Sequence, residues 1–215
     1  MTTLSDIIAN AVIYGFLGVQ GLTDEQKASF KKDFTYVDEK VLTKPNYEQY
    51  FEYYGNMYNI DPKVLKAIAR AESGINHKAI GFSTTEDFFN AKLDKKFPCK
   101  MDKNVGSLKR MVSCFPETAK DAVKLFYTLQ KSKQHLSTID YGIMQINERT
   151  AKTNGVNELL TYLYPNVNIH LGAKTLRMCI DKFAPEQSSV IECYNKGFKK
   201  SNFTGNYYYA VLKKL

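Results

Sequence analysis

The sequence contains no tryptophan and only three histidines, and no two of its four cysteines form a C-x-x-C pair. His77, His135 and His170 are single and widely separated. Metal sites usually gather such residues at short, regular spacings. The sequence therefore predicts no metal centre, no thioredoxin-type site and no cofactor.

Long apolar runs are also missing, so we expect no transmembrane segment. Residues 1–22 are fairly apolar, but they carry Asp6 and lack the basic start of a secretory signal peptide. An export signal is therefore not evident in this sequence. There are no internal repeats and no low-complexity tracts.

Acidic residues are outnumbered, 22 against 30 basic residues, which gives a net charge of +8. This balance favours an acidic partner, such as nucleic acid, an anionic membrane or an anionic cell-wall polymer. Most of the basic residues are lysines, and no arginine-rich or RNP-like pattern occurs. A nucleic-acid partner is therefore not predicted.

What the chain does have is enough apolar sequence for a sizeable core, with 215 residues of which 44% are hydrophobic. Its aromatic residues are 15 tyrosines and 13 phenylalanines. Tyrosine combines a stacking face with a hydroxyl, which suits sugars, but it also fills ordinary half-buried positions.

Helical periodicity dominates the chain and predicts a mostly α-helical fold. Residues 1–45 are expected to form a helical N-terminal extension with an amphipathic helix at 3–20, which packs on the main domain or, as an alternative, binds a membrane surface or partner. The main domain is expected at 46–215, with 80–137 as an insertion within it. Further helices are expected at these ranges: 46–57, 61–73, 84–96, 116–134, 147–153, 157–164, 166 or 168–183, 185–196 and 206–215.

One short stretch differs from the helical background. Residues 140–147, D-Y-G-I-M-Q-I-N, combine β-prone residues with a glycine and end in polar side chains. This pattern is typical of a small strand or turn that lines a cleft.

Glu72 is the strongest candidate for chemistry. Asp61 and Pro62 are typical of a helix start and Gly74 of a helix end, and Glu72 falls on the apolar stripe of that helix. Partial burial and the negative helix end both disfavour its charged form. A carboxyl group that stays protonated near neutral pH can act as a general acid. A surface glutamate on a helix in another register is the alternative.

The cysteines occur as two spaced pairs, Cys99 with Cys114 and Cys179 with Cys193. The even count permits two local disulfides in an oxidising compartment, and four free thiols are the alternative. Cys179 and Cys193 lie near facing positions of a predicted helical hairpin, where a disulfide is geometrically reasonable.

Three motifs stand in order: E-S-G at 72–74, G-I-M-Q-I-N at 142–147 and C-Y-N-K-G at 193–197. They resemble the E-S-x, G-L-M-Q and A-Y-N-A-G motifs of lytic transglycosylases with the soluble-lytic-transglycosylase, goose-lysozyme-like fold. Residues 168–176 resemble a fourth family segment, N-I-x-x-G. The resemblance covers about residues 46–197. The chain has a long segment between the first two motifs, and in this feature it resembles the family's secretion-system enzymes or phage-encoded relatives.

The resemblance implies cleavage of the β-1,4 bond between N-acetylmuramic acid and N-acetylglucosamine in peptidoglycan. Glu72 would be the only catalytic acid and base, and the muramic acid 6-hydroxyl would close a 1,6-anhydro ring. Tyr194 would orient or hydrogen-bond Glu72 through its hydroxyl. The substrate-binding residues implied are listed here: Ser73, Met144, Gln145, Tyr194 and Asn195, of which Asn195 also holds the turn after its helix.

Departures from the family pattern leave these chemical groups in place. Ile143 replaces leucine, Cys193 replaces alanine, Lys196 replaces a small residue, and the proline that usually follows the first motif is absent. Asp140 is the nearest candidate for a second acid, but a loop aspartate is more often a local hydrogen-bonding residue.

Two alternatives to a transglycosylase stay open: a muramidase that uses water, and a non-catalytic wall-binding protein that keeps the fold. The expected partners are peptidoglycan glycan strands and, further, secretion-system or phage components. The expected location is the periplasm or cell envelope.

Overall fold

The computed structural model describes residues 46–102 and 108–215. In that part of the chain, nine α-helices surround a small antiparallel sheet. The mostly helical class predicted from the sequence, with a small β element, is confirmed. The helices are α1 Tyr47–Tyr58, α2 Pro62–Ser73, α3 Glu86–Lys92, α4 Ala119–Lys131, α5 Glu148–Thr153, α6 Glu158–Leu163, α7 Pro165–Phe183, α8 Gln187–Lys196 and α9 Asn206–Leu212.

The sheet has five short strands in the order β2-β3-β1-β4-β5, and each neighbouring pair is antiparallel. Short 3₁₀ turns at Lys133–His135 and Lys200–Asn202 complete the elements. The strands are β1 Ile80–Thr84, β2 Cys99–Met101, β3 Arg110–Cys114, β4 Asp140–Tyr141 and β5 Ile146–Asn147.

The ends of α1 and α2 follow from local capping. The Asn46 side chain accepts a hydrogen bond from the Gln49 amide at 3.3 Å, and Asp61 accepts one from Lys63 at 2.8 Å. Pro62 occupies the first turn of α2. Gly74 ends α2 in the left-handed conformation with a φ of 65°.

The helix predicted at 84–96 is partly wrong, because β1 runs to Thr84 and α3 begins only at Glu86. Strands β2 and β3 were not predicted either. β1 pairs with β3 and with β4, so its conformation depends on partners some thirty and sixty residues further along the chain. A short apolar run that pairs at this distance has no periodicity that distinguishes it from a helix.

The core is built around α7, which packs against α1, α6 and α8. Its inward face includes Ile169, Ala173 and Leu176, all fully buried. This helix begins at Pro165 rather than at residue 166 or 168, because proline needs no amide partner at the first helical position.

Both predicted cysteine pairs are disulfides in the structure. Cys179–Cys193 joins α7 to α8, and Cys99–Cys114 joins β2 to β3. Across residues 46–102 and 108–215, no helix is long and apolar enough to cross a membrane. The helical extension expected at 1–45, with its helix at 3–20, lies outside the described residues. The domain division, with 80–137 as an insertion, stays a prediction.

Candidate active site

Glu72 lies in the last turn of α2 and is half-buried. Burial raises the pKa of its carboxyl group to about 7, and the negative charge of Asp140 adds to this rise. Hydrogen bonds from Tyr207 and Asn195 and the charge of Lys196 act in the opposite direction. Near neutral pH the group can therefore both give and take a proton.

Ser73 connects Glu72 to the second motif. Its hydroxyl donates to the Ile143 carbonyl at 2.7 Å and accepts from the Asn76 amide at 3.1 Å. The end of α2 is thereby tied to the turn at 142–145. Ser73 lies beside the Glu72 carboxyl group, as expected from the sequence. Its hydroxyl, however, forms its hydrogen bonds with backbone atoms of the protein.

Residues 142–145 form a tight turn between β4 and β5. Gly142 has a φ of 74°, and a side chain there would come within 2.5 Å of the Asn168 amide nitrogen. Asn168 is completely buried and accepts from the Met144 amide at 2.7 Å. It also donates to the Tyr141 and Thr161 carbonyls, each at 2.7 Å, so α7 fixes the turn.

Met144 and Gln145 lie in this turn, as predicted. The Met144 side chain is buried against Gly172. A methyl group added at Gly172 would come within 2.8 Å of the Met144 side chain. Gln145 is half-buried with a φ of 47°, and its amide donates to the Gly142 carbonyl at 2.8 Å. Gly81 on β1 leaves the space for the Gln145 side-chain oxygen.

Tyr194 reaches the same turn from α8, but its contact differs from the prediction. Its hydroxyl donates to the Met144 carbonyl at 2.9 Å, rather than to Glu72. Burial and the nearby Glu72 charge raise the pKa of this hydroxyl well above its usual value. Tyr194 therefore lies close to Glu72 but bonds to the turn.

Tyr207 on α9 hydrogen-bonds Glu72 and was not predicted from the sequence. Its hydroxyl donates to the Glu72 carboxylate at 2.5 Å. The available signal was helical spacing, because Tyr207 shares a face with Val211, which is buried. Tyr208, three residues before Val211, shares that face as well, so the spacing indicated two of the three adjacent tyrosines.

Glu192 holds α9 in position. Its side chain is 1% exposed, and its carboxylate accepts from the Thr204 amide at 3.3 Å and from the Tyr208 amide at 3.0 Å. These amides flank the start of α9, where backbone donors lack helical partners. The carboxylate thus anchors the helix end next to Tyr207.

Asn195 and Asp140 complete the surroundings of Glu72. Asn195 is exposed at the end of α8, and its side chain hydrogen-bonds the Glu72 carboxylate, a contact that the sequence did not predict. Asp140 accepts from the Asn147 amide at 2.7 Å, as a local hydrogen-bonding residue does. Burial raises its pKa to about 6, and the Glu148 charge adds to this.

The histidines lie elsewhere. The ring of His77 contacts the Tyr47 hydroxyl at 2.5 Å, and His170 lies 3.4 Å from the Tyr58 hydroxyl. Among the residues that the structure describes, no group of three or more His, Cys, Asp or Glu could hold a metal ion.

The comparison with protein families gives one match. The family model described as "Transglycosylase SLT domain" matches residues 49–215, which include Glu72, the turn at 142–145, Tyr194 and Tyr207. No curated protein and no solved structure matches the chain.

Proposed function

Because the chain belongs to the transglycosylase SLT domain family, a glycan-cleaving family that acts on peptidoglycan, we propose that it is a lytic transglycosylase. The proposed bond is the β-1,4 link between N-acetylmuramic acid and N-acetylglucosamine. The single observation that supports the chemistry is Glu72, a half-buried carboxyl group with a pKa of about 7 and a tyrosine donor on its oxygen.

In the proposed first step, protonated Glu72 gives its proton to the glycosidic oxygen as the C–O bond breaks. The substrate's own N-acetyl group stabilises the positive charge that develops at the anomeric carbon. Tyr207 and Asn195 then stabilise the Glu72 carboxylate that results, because both hydrogen-bond its charged form.

In the proposed second step, the Glu72 carboxylate takes a proton from the muramic acid 6-hydroxyl. That oxygen bonds to the anomeric carbon and closes the 1,6-anhydro ring, so no water is consumed. Glu72 ends protonated and ready for another cycle. A pKa near 7 suits both steps, because neither protonation state is strongly disfavoured at neutral pH.

The test is mass spectrometry of peptidoglycan digested by the protein. We expect muropeptides that end in 1,6-anhydro-N-acetylmuramic acid. Fragments with reducing ends alone would contradict transglycosylation and identify a muramidase.

One observation favours the muramidase alternative enough to test it separately. Asp140 lies close enough to Glu72 to raise its pKa, so a second carboxyl group is present near the site. If Asp140 activated water, Asp140→Asn would abolish cleavage. If its role is the hydrogen bond with Asn147, that variant keeps anhydro products. A non-catalytic wall-binding protein would show no cleavage at all.

The proposed location is the periplasm or cell envelope, where the substrate lies. Two disulfides support an oxidising compartment. A role in opening the wall for a secretion system or phage is a further part of the proposal, which deletion of the gene and assay of assembly would test.

A further inference from the structure

A second concavity lies between α1, the α5–α6 connection and α7, with a volume of about 520 Å³. This volume is within the range of about 300–1,000 Å³ for ligand sites in proteins. Neither Glu72 nor any residue of the turn at 142–145 lines it. We call it the tyrosine groove, after Tyr50, Tyr53 and Tyr54 of α1.

The tyrosine groove and the candidate active site use different faces of α7. Asn166, His170 and Lys174 line the groove at every fourth position. Asn168 and Gly172, which contact the turn at 142–145, are offset from them by two residues. Two residues correspond to about 200° around a helix, so these two rows lie on opposite sides of α7, and Val167 and Leu171, which also line the groove, lie between them.

The aromatic lining offers flat faces to a ligand. Tyr53 is 59% exposed, and Met57 beside it is 51% exposed. Tyr54 packs edge-on against His170, with ring centroids 5.0 Å apart. A tyrosine ring presents an apolar face next to a polar tip, which matches a sugar ring with its C–H face and its hydroxyls.

The polar lining needs hydrogen-bond donors. Gln49, Asn154 and Asn166 place amide groups around the groove. Within the described part of the chain, the Asn166 side-chain oxygen is buried and has no hydrogen-bond partner. A buried acceptor without a donor is destabilising, so the Asn166 side chain gains from a rotation that brings this oxygen to a sugar hydroxyl or acetamido N–H in the groove.

Charge narrows the ligand further. Lys174 is a groove residue, and no acidic side chain is among the lining residues, all of which the structure describes. A neutral or anionic ligand is therefore favoured over a cation. A purely apolar segment of another chain, or of residues 1–45, would leave Asn166 and the other amides unsatisfied.

We propose that the tyrosine groove binds a peptidoglycan glycan strand away from the point of cleavage. Tyr50 and Tyr53 contact sugar rings, Asn166 accepts from the sugar, and Lys174 pairs with a stem-peptide carboxylate. The identity of the polymer rests on the function proposed above. The groove would keep the enzyme attached to insoluble wall while Glu72 acts on another part of the strand.

The test uses the full chain with Glu72→Gln, which should bind insoluble peptidoglycan without cutting it. Adding Tyr53→Ala and Lys174→Ala is expected to weaken binding about tenfold, equivalent to ~1.4 kcal/mol. The matched control adds Tyr127→Ala and Lys120→Ala on α4, one exposed tyrosine and one exposed lysine outside the groove. The control should bind as strongly as Glu72→Gln alone.

A second measurement uses soluble oligomers of N-acetylglucosamine and NMR of side-chain amides. We expect the side-chain amide resonances of Asn166 and of neighbouring residues to shift on titration. In Asn166→Ala, the shifts of the neighbouring resonances should be lost. With Glu72 intact, the groove variants should cleave short soluble fragments at the normal rate and insoluble wall more slowly.

Equal binding by the groove variants and the control would overturn the proposal. A lower melting temperature with unchanged binding would also overturn it, and would indicate that these side chains stabilise the fold rather than bind glycan. Cleavage that survives Glu72→Gln would instead contradict the proposed function, whatever the binding result, so the two failures are distinguishable.

Discussion

At the scale of single residues, the pKa of Glu72 is set by opposing influences, of which burial is the largest. Burial and Asp140 favour its protonated form, while Tyr207, Asn195 and Lys196 favour its charged form. The resulting pKa of about 7 makes the first proton transfer sensitive to pH in the neutral range.

The first prediction concerns this pH dependence. Because Glu72 must be protonated to release the leaving group, we expect cleavage to fall as pH rises through about 7. Turnover of insoluble peptidoglycan measured between about pH 5 and 9 checks it. A rate that stays level across this range would contradict the assignment of Glu72 as the acid.

The second prediction concerns stability at the same residue. The folded-state pKa of Glu72, about 7, lies above the ordinary glutamate value of 4.5, so between these two pH values the folded protein holds a proton that the unfolded chain has lost. The stability that the folded protein loses by burying a charged Glu72 is zero below about pH 4. This loss grows between the two pKa values and reaches its full size above about pH 7. Glu72→Gln should therefore be more stable than the wild type at about pH 8, by up to ~3 kcal/mol.

Urea denaturation at about pH 4 and pH 8 measures this difference. At pH 4 the glutamine and the protonated acid should be nearly equivalent. A variant that is equally stable at both pH values relative to the wild type would mean that Glu72 is not desolvated in the folded protein.

The third prediction separates Tyr207 from its neighbours. Tyr207→Phe removes a hydrogen bond to the charged carboxylate, so the pKa of Glu72 should rise and the alkaline limb of activity should move to higher pH. A hydrogen bond to a charged group contributes about 1.5 kcal/mol or more, which corresponds to about one pH unit. Tyr209→Phe, on a side chain that is 63% exposed, is the matched control.

At the scale of elements, α9 depends on α8 for its position. Glu192 on α8 accepts from the amides of Thr204 and Tyr208 at the start of α9. α9 is only seven residues long, and a helix of this length is not stable alone in water. Its contacts with α2 and α8 therefore decide where Tyr207 lies.

The fourth prediction tests this dependence. Glu192→Ala removes the shared acceptor of the Thr204 and Tyr208 amides, which should lower the free energy of unfolding by about 2 kcal/mol. Amide hydrogen exchange at residues 204–212 should accelerate, and the alkaline limb should shift in the same direction as in Tyr207→Phe. Glu192→Gln retains one carbonyl acceptor, so its effects should be intermediate. Unchanged exchange in Glu192→Ala would show that α9 docks without this anchor.

The turn at 142–145 shows the same dependence between elements. Ser73 from α2, Asn168 from α7 and Tyr194 from α8 all bond to its backbone. Residues 72–74, 142–147 and 193–197 thus meet at one turn. The family resemblance implied a shared site, and the structure adds the atoms that join its parts.

At the scale of the whole molecule, the two disulfides lie in different surroundings. Cys179–Cys193 joins two helices and places Tyr194 next to a covalent link. Cys99–Cys114 closes a hairpin whose strands already pair at those two residues.

The fifth prediction follows from this difference. Removing Cys179–Cys193 by double alanine substitution should lower the free energy of unfolding by about 3 kcal/mol and reduce cleavage, because the α7–α8 hairpin is no longer closed. Removing Cys99–Cys114 should leave cleavage close to normal. Urea denaturation and the peptidoglycan assay compare the two double-alanine variants. Free thiols in the denatured, unreduced wild type would contradict both disulfides.

Local sequence was sufficient for several parts of this molecule. Asn46, Asp61 and Gly74 set the ends of α1 and α2 because each satisfies backbone groups within a few residues. Cys179 and Cys193 are 14 residues apart, and their pairing follows from the predicted helical hairpin that contains them, whereas Cys99 and Cys114 were paired from their spacing of 15 residues alone. Glu72 could be singled out because its helical stripe and helix end are both visible in the sequence.

The remaining features depend on contacts between distant segments. β1 has no periodic pattern of its own and becomes a strand because residues 110–114 and 140–141 pair with it. Tyr207 contacts Glu72 across 135 residues of sequence, and Tyr194 contacts Met144 across 50. Such contacts cannot be predicted from spacing along the chain. The burial and docking of α9 decide which of three adjacent tyrosines reaches the Glu72 carboxylate.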